Sequence, residues 1–137
     1  MLAMVDDSKG FMAQKEGRLM KYQILENNKI ISTPLHFEKD CEIYDMLYLQ
    51  TFKLLLVYCH NTLPDKTLSK KSKIISFNLN NKDPTPSVYL SNFQAPANRG
   101  KIMKTNKDET FLYLAECENS GSHSNCHLRV LGGLGTS

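Results

Sequence analysis

Glu42-Ile-Tyr-Asp-Met-Leu-Tyr-Leu-Gln-Thr-Phe-Lys-Leu-Leu-Leu-Val-Tyr-Cys-His60 is the stretch whose reading decides the fold. Ile43, Met46, Leu47, Leu54 and Tyr58 recur at helical spacing. Leu49, Phe52, Leu56 and Val57 would then place apolar groups around the whole circumference of the helix, leaving no polar face for water. Two strands joined by a turn at Gln50–Lys53 remove that conflict. The run Leu54–Cys59 is apolar at consecutive positions, as a strand covered on both sides requires. Lys101 to Cys117 follows the same plan, with Asn106-Lys-Asp-Glu109 as the interrupting turn. The stretch is therefore expected to be a pair of strands.

Working outward, the same order of segments occurs three times, in units 1–37, 41–94 and 99–137. Each has a short apolar run, a polar turn, a strongly apolar run, a loop and an alternating run; the first two units add a turn and a last alternating run. Val, Ile, Tyr and Phe between Gly, Asn, Asp and Pro are strand and turn chemistry. Gly17 supplies the positive φ that a tight turn wants, and Asn27-Asn28 tolerates the left-handed region. Pro34, Pro84 and Pro86 fall late in their units, where a missing backbone donor does least harm.

Antiparallel four-stranded units of about 40–50 residues are the pattern of β-propeller blades. On Asp7-Ser-Lys-Gly-Phe-Met-Ala-Gln-Lys-Glu-Gly-Arg-Leu-Met-Lys-Tyr22 and Asn106-Lys-Asp-Glu-Thr-Phe-Leu-Tyr-Leu114 the chain resembles a generic propeller repeat. It carries no tryptophan, so the Trp-Asp ending of WD-repeat blades is absent, and no Gly-His pair opens a unit. The resemblance implies an all-β chain, an incomplete β-propeller of about two and three-quarter blades. Closed propellers have about four to eight. An incomplete ring leaves apolar faces and strand edges open, so self-association or a protein partner is expected. An architecture carries no function with it.

Composition bounds the rest. The chain has 137 residues, 41% of them hydrophobic and 23% charged, which excludes general disorder. Its net charge of +3 is too small to demand nucleic acid or an anionic membrane. The longest wholly apolar run, Leu54–Cys59, is too short to span a bilayer. Asp6 and Asp7 stand where a secretory signal would be basic or apolar. Cys41, Cys59, Cys117 and Cys126 form no C-x-x-C pair, and no N-x-[ST] sequon occurs. A reducing, cytoplasmic setting with free thiols is expected. Cys117 and Cys126 flank Glu118–Asn125; if that loop closes a hairpin, a disulfide between them is conceivable in an oxidising compartment.

Candidate sites are few. Cys117, His123, Cys126 and His127 supply zinc-type donors within eleven residues, but not at a usual zinc spacing. Adjacent strand residues face opposite ways, so Cys126 and His127 would not converge. A polar hairpin loop, Ser120–Asn125, is the preferred reading, with no metal and no cofactor. Cys59 and His60 are adjacent too, and a catalytic pair must meet in space. Cys59 and Cys117 read as small buried residues at corresponding positions of two units. Asp6-Asp7 and Asp108-Glu109 read as solvated turn residues. The tail Gly132-Gly-Leu-Gly135 lacks the following helix a phosphate loop needs. No catalytic residue is assigned.

The remaining feature is a basic insertion containing Lys66, Lys70, Lys71 and Lys73. On the propeller reading it emerges on the same face as the loop holding His123, and loops on a rigid scaffold are where binding residues gather. These five residues form the candidate protein-binding face. The lysines suit acidic protein or phosphate; nucleic acid is not expected, because no aromatic residues interleave them. A non-enzymatic interaction module or scaffold within a larger assembly is the leading expectation. The alternative is a fragment of a propeller-type hydrolase or lactonase with a metal-dependent channel site.

Overall fold

The fold is described from a computed structural model. Its backbone is described at residues 1–65, 68–82, 84–94, 99–120 and 123–133. Within these, side chains are described except at 15, 68–70, 90–94, 99–102, 116–120, 123–127, 129 and 131–133.

The chain is all-β. Strands β1 (Leu2–Asp6), β2 (Lys9–Ala13), β3 (Arg18–Ile24) and β4 (Ile30–Phe37) form a first antiparallel sheet in sequence order. Strands β5 (Cys41–Leu49), β6 (Leu54–Thr62), β7 (Leu68–Asn78) and β8 (Pro86–Gln94) form a second. Strands β9 (Arg99–Thr105), β10 (Phe111–Ser120) and β11 (His123–Gly133) form a third, of three strands. The stretch that decided the reading is indeed two strands, with Leu49 paired to Leu54 across the turn. Among the described residues no closed barrel or closed ring forms, and the architecture there is three antiparallel sheets.

The middle sheet is covered on both faces. Leu55, Val57 and Cys59 of β6, with Ile75 and Phe77 of β7, pack with Ala3, Phe11 and Leu19 of the first sheet. The intervening positions Leu56 and Tyr58, with Ile74, pack with Met103, Leu112 and Leu114 of the third. Leu55 through His60 are all fully buried. This two-sided burial is why β6 has no polar alternation, and each such Leu or Val contributes about 1.5–3 kcal/mol. Where sheets approach one another, β5 lies beside both β1 and β9.

The turns follow the residue chemistry. Gly17 has φ 79°, and a Cβ there would collide with the backbone carbonyl of Glu38. Asn28 adopts φ 62°, with Asn27 Oδ1 accepting the Lys29 amide. Pro34 lies on β4, an outer strand, and Pro86 opens β8.

Four expectations are corrected. The basic insertion is largely strand: Lys70, Lys71 and Lys73 lie on β7, which pairs with β6 from Thr62–Leu68 onward. The stretch expected as the loop Glu118–Asn125 is mostly β10 and β11, which pair out to Ser120 and His123. Cys59 and Cys117 are not equivalent positions: Cys59 alternates in phase with Leu55 and Val57, whereas Cys117 is out of phase with Leu112 and Leu114. The expected set of four free thiols also fails, because Cys41 and Cys59 are joined by a disulfide.

That bridge links β5 to β6 diagonally, Cys59 being in register with Ile43 and Cys41 with Asn61, at a Cα separation of 5.7 Å. Cys117 stands opposite Cys126 in the β10–β11 register, as a hairpin there requires; their side chains lie outside the described residues. Closing an 18-residue separation restricts the unfolded chain by about 3 kcal/mol. Reductant is therefore expected to lower unfolding stability by about that amount in a urea titration. An unchanged midpoint, or four titratable thiols in non-reducing denaturant, contradicts the pairing.

Candidate functional site

The five residues of the expected binding face are not shown as one cluster. Lys66 lies outside the described residues, as do the side chains of Lys70 and His123. His123 begins β11 in register with Ser120. Lys71 is exposed on β7. Lys73 is largely buried and committed to structure: its Nζ donates to Glu38 Oε1 at 2.6 Å. The other Glu38 oxygen lies 2.7 Å from His36 Nε2, and the His36 ring meets Phe77 edge-on at 5.4 Å. The Glu38 amide donates to the Gly17 carbonyl, so the carboxylate ties the end of the first sheet to β7. Burial pushes the Glu38 carboxyl up, but the hydrogen bonds from Lys73 and His36 and the Lys73 charge outweigh it and hold it below the usual glutamate range.

Two further carboxylates join the second and third sheets. Asp45, at a register shift in β5, accepts the Met103 amide of β9 at 2.6 Å and the Met46 amide at 2.9 Å. Burial raises its pKa despite those two bonds. Glu109 accepts the Thr51 amide at 2.8 Å and the Gln50 amide at 3.3 Å, capping the β5–β6 turn from the β9–β10 turn. Desolvation pushes Glu109 up, but the Thr51 and Gln50 hydrogen bonds prevail and its pKa is lowered. Glu109 lies in a turn at the surface, as expected, and also anchors the neighbouring turn. Both acids are engaged by backbone donors.

A buried polar cluster lies between the same sheets. Tyr58 donates its hydroxyl to Ser72 Oγ at 3.0 Å and lies 3.1 Å from His60 Nε2. The Tyr44 ring covers His60 at a centroid distance of 4.2 Å. Tyr58, His60 and Ser72 are fully buried, so the serine and histidine are closed to substrate in this structure. The group makes a polar plug in an otherwise apolar layer. Its sequence signal is the two-residue spacing of Tyr58 and His60, which puts both on one face of β6.

Sequence order hid another gathering. A cleft of about 560 Å³ between the first two sheets has Phe11 and Tyr48 in its wall, with Lys9, Lys21, Lys53 and Lys82 around it. Asp6 is the acid beside them, 3.8 Å from Lys9. Lys9, Lys53 and Lys82 come from turns or strand starts at one end of the sheets. Excess positive charge over an apolar wall favours anionic groups. The cleft lies at the opposite end of β6 from the expected lysine face.

Comparison with protein-family models, curated proteins and solved structures gives no match for this chain.

The pH behaviour of Glu38 tests the best-defined polar contact. Its pKa is lower folded than at the ordinary 4.5, so its stabilisation is complete above that value and is lost as pH falls through the folded pKa. Glu38→Gln is expected to cost about 1–3 kcal/mol at pH 7, with the deficit shrinking as acid is added. A deficit independent of pH in parallel denaturation series contradicts the ionic role.

Proposed function

We propose that this chain is a non-catalytic protein-interaction module of propeller-like blades, serving as a scaffold within a larger assembly. The observation that carries this reading is the condition of the outermost faces. On the first sheet, Leu2, Met4, Met12 and Met20 lie on the face turned away from the middle sheet, and Leu2 and Met4 are each 62% exposed. On the third sheet, Phe111, Tyr113, Leu128 and Val130 do the same, with Leu128 67% exposed. Isolated exposed apolar residues are ordinary, but contiguous rows across paired strands mark surfaces that bind.

The propeller-like element of the proposal draws on the shared strand order of the three sheets, their face-to-face packing and the position of β5 beside β1 and β9. Blades arranged around an axis have their first strands next to one another in this way. The non-catalytic element draws on the acids: Asp45 and Glu109 are occupied by backbone amides and Glu38 by Lys73 and His36.

Two measurements on the purified chain test the proposal. Exposed-surface dye binding or concentration-dependent association is expected, together with no chelator-sensitive activity in a broad esterase and lactonase screen. A monomer at high concentration that binds no dye contradicts the interaction role, and chelator-sensitive hydrolysis contradicts the non-catalytic one.

A further inference from the structure

Resting on that interaction reading, we infer that the occupant of both outer faces is a second copy of this chain, docked head to tail so that two copies close a six-sheet ring. The argument starts from the two junctions already built within the chain. At each, the face a sheet turns toward its successor packs on the face the next sheet turns back. Ala3, Phe11 and Leu19 meet Leu55, Val57 and Cys59; Leu56, Tyr58 and Ile74 meet Leu112, Leu114 and Met103. The third sheet has a successor-type face that no described residue covers as a successor sheet would: Tyr113, Ala115, Leu128 and Val130. The first sheet has a predecessor-type face that no described residue covers as a predecessor sheet would: Leu2, Met4, Met12 and Met20. Placing the third sheet of one copy on the first sheet of another repeats the internal junction with the same sense of faces.

The chemistry of the two faces agrees. On the first sheet, the rows Leu2-Met12-Met20-Pro34 and Met4-Gly10-Tyr22-Ser32 contain no charged residue. Tyr22 lies across Gly10, where a Cβ would meet its hydroxyl at 2.5 Å, which flattens that row. Methionine side chains adapt to the shape of a partner surface. On the third sheet, the rows Tyr113–Val130 and Ala115–Leu128 are uncharged, and Lys104 stands beside Tyr113 on β9, at the sheet's edge.

The surface area accommodates two covered faces per chain, and the sheet count sets the number of copies. A compact monomer of 15.6 kDa exposes about 7,200 Å². This chain exposes 8857 Å², an excess of about 1,600 Å². In a closed ring every chain covers two faces, and at about 800 Å² for each that comes to about 1,600 Å² per chain. The three described sheets per chain give six sheets from two copies, within the four to eight of closed propellers; three copies give nine, outside that range. Each junction joins two different faces, but the two copies make both junctions at once about a two-fold axis, so the association is isologous as a whole and closes.

The experiment uses the full chain and two exposed-site variants, Met4→Asp on the first sheet and Leu128→Asp on the third. Light scattering coupled to size exclusion is expected to give twice the chain mass for the parent. Each variant is expected to dissociate at concentrations about 100-fold higher than the parent, with its circular dichroism unchanged. Because a head-to-tail contact uses one face from each copy, mixing the variants leaves one pair of unaltered faces. The mixture is therefore expected to recover a dimer that neither variant forms alone. Dissociation by only one substitution indicates a face-on-itself contact and overturns the head-to-tail arrangement, as does open-ended growth. A monomeric parent also overturns it. If that monomer binds exposed-surface dye, and Met4→Asp reduces the binding, the interaction reading survives without the second copy. If it binds none, both fall.

Discussion

Everything in this structure depends on covering both sides of β6. A strand whose neighbouring positions Leu55 through His60 are all buried needs apolar sheets above and below it. The first sheet supplies one with Phe11 and Leu19, and the third supplies the other with Leu112 and Leu114. Among the described residues neither outer sheet has an equivalent cover for its own far face. The stacking that stabilises the middle therefore moves the exposed apolar surface to the two ends, and the functional proposal follows from that imbalance.

Polar groups orient the layers that the apolar groups hold together. Hydrophobic burial is non-directional, so it does not by itself fix how one sheet sits on the next. Glu38 joins the end of the first sheet to β7, and Asp45 and Glu109 connect the second sheet to backbone amides or turns of the third. Each carboxylate joins segments distant in the chain, and removing Glu38 or Asp45 leaves partly buried donors without an acceptor. The Tyr58–Ser72 bond and the Tyr44–His60 contact add directional contacts within the second interface. The disulfide acts within a sheet, fixing β5 against β6 beside the first interface.

How much of this could be read from sequence depended on whether the signal was local. The Ile43–His60 strands were legible because an apolar run with no polar face fits a doubly covered strand and fits no surface helix. The turns at Gly17 and Asn28 were legible for the same reason: the residue type answers a backbone need at that position. The extent of β7 was not, because Leu68-Ser-Lys-Lys-Ser-Lys73 is polar and its ladder to β6 uses backbone groups that any side chain permits. The role of Lys73 depended on Glu38, thirty-five positions away. The Cys41–Cys59 pairing depended on the β5–β6 register, including its shift near Asp45. The lysines around the cleft between the first two sheets meet only after those sheets have stacked.

Native-state hydrogen exchange, resolved residue by residue by NMR, tests the central claim most directly. If β6 is a strand enclosed by two sheets, the amides of Leu55–Cys59 exchange only through global unfolding, and their opening free energies equal that of the whole chain. The β1 edge, with its far face uncovered, opens at lower free energy. Fast exchange across Leu55–Cys59, or helical chemical shifts anywhere in Ile43–His60, contradicts the account.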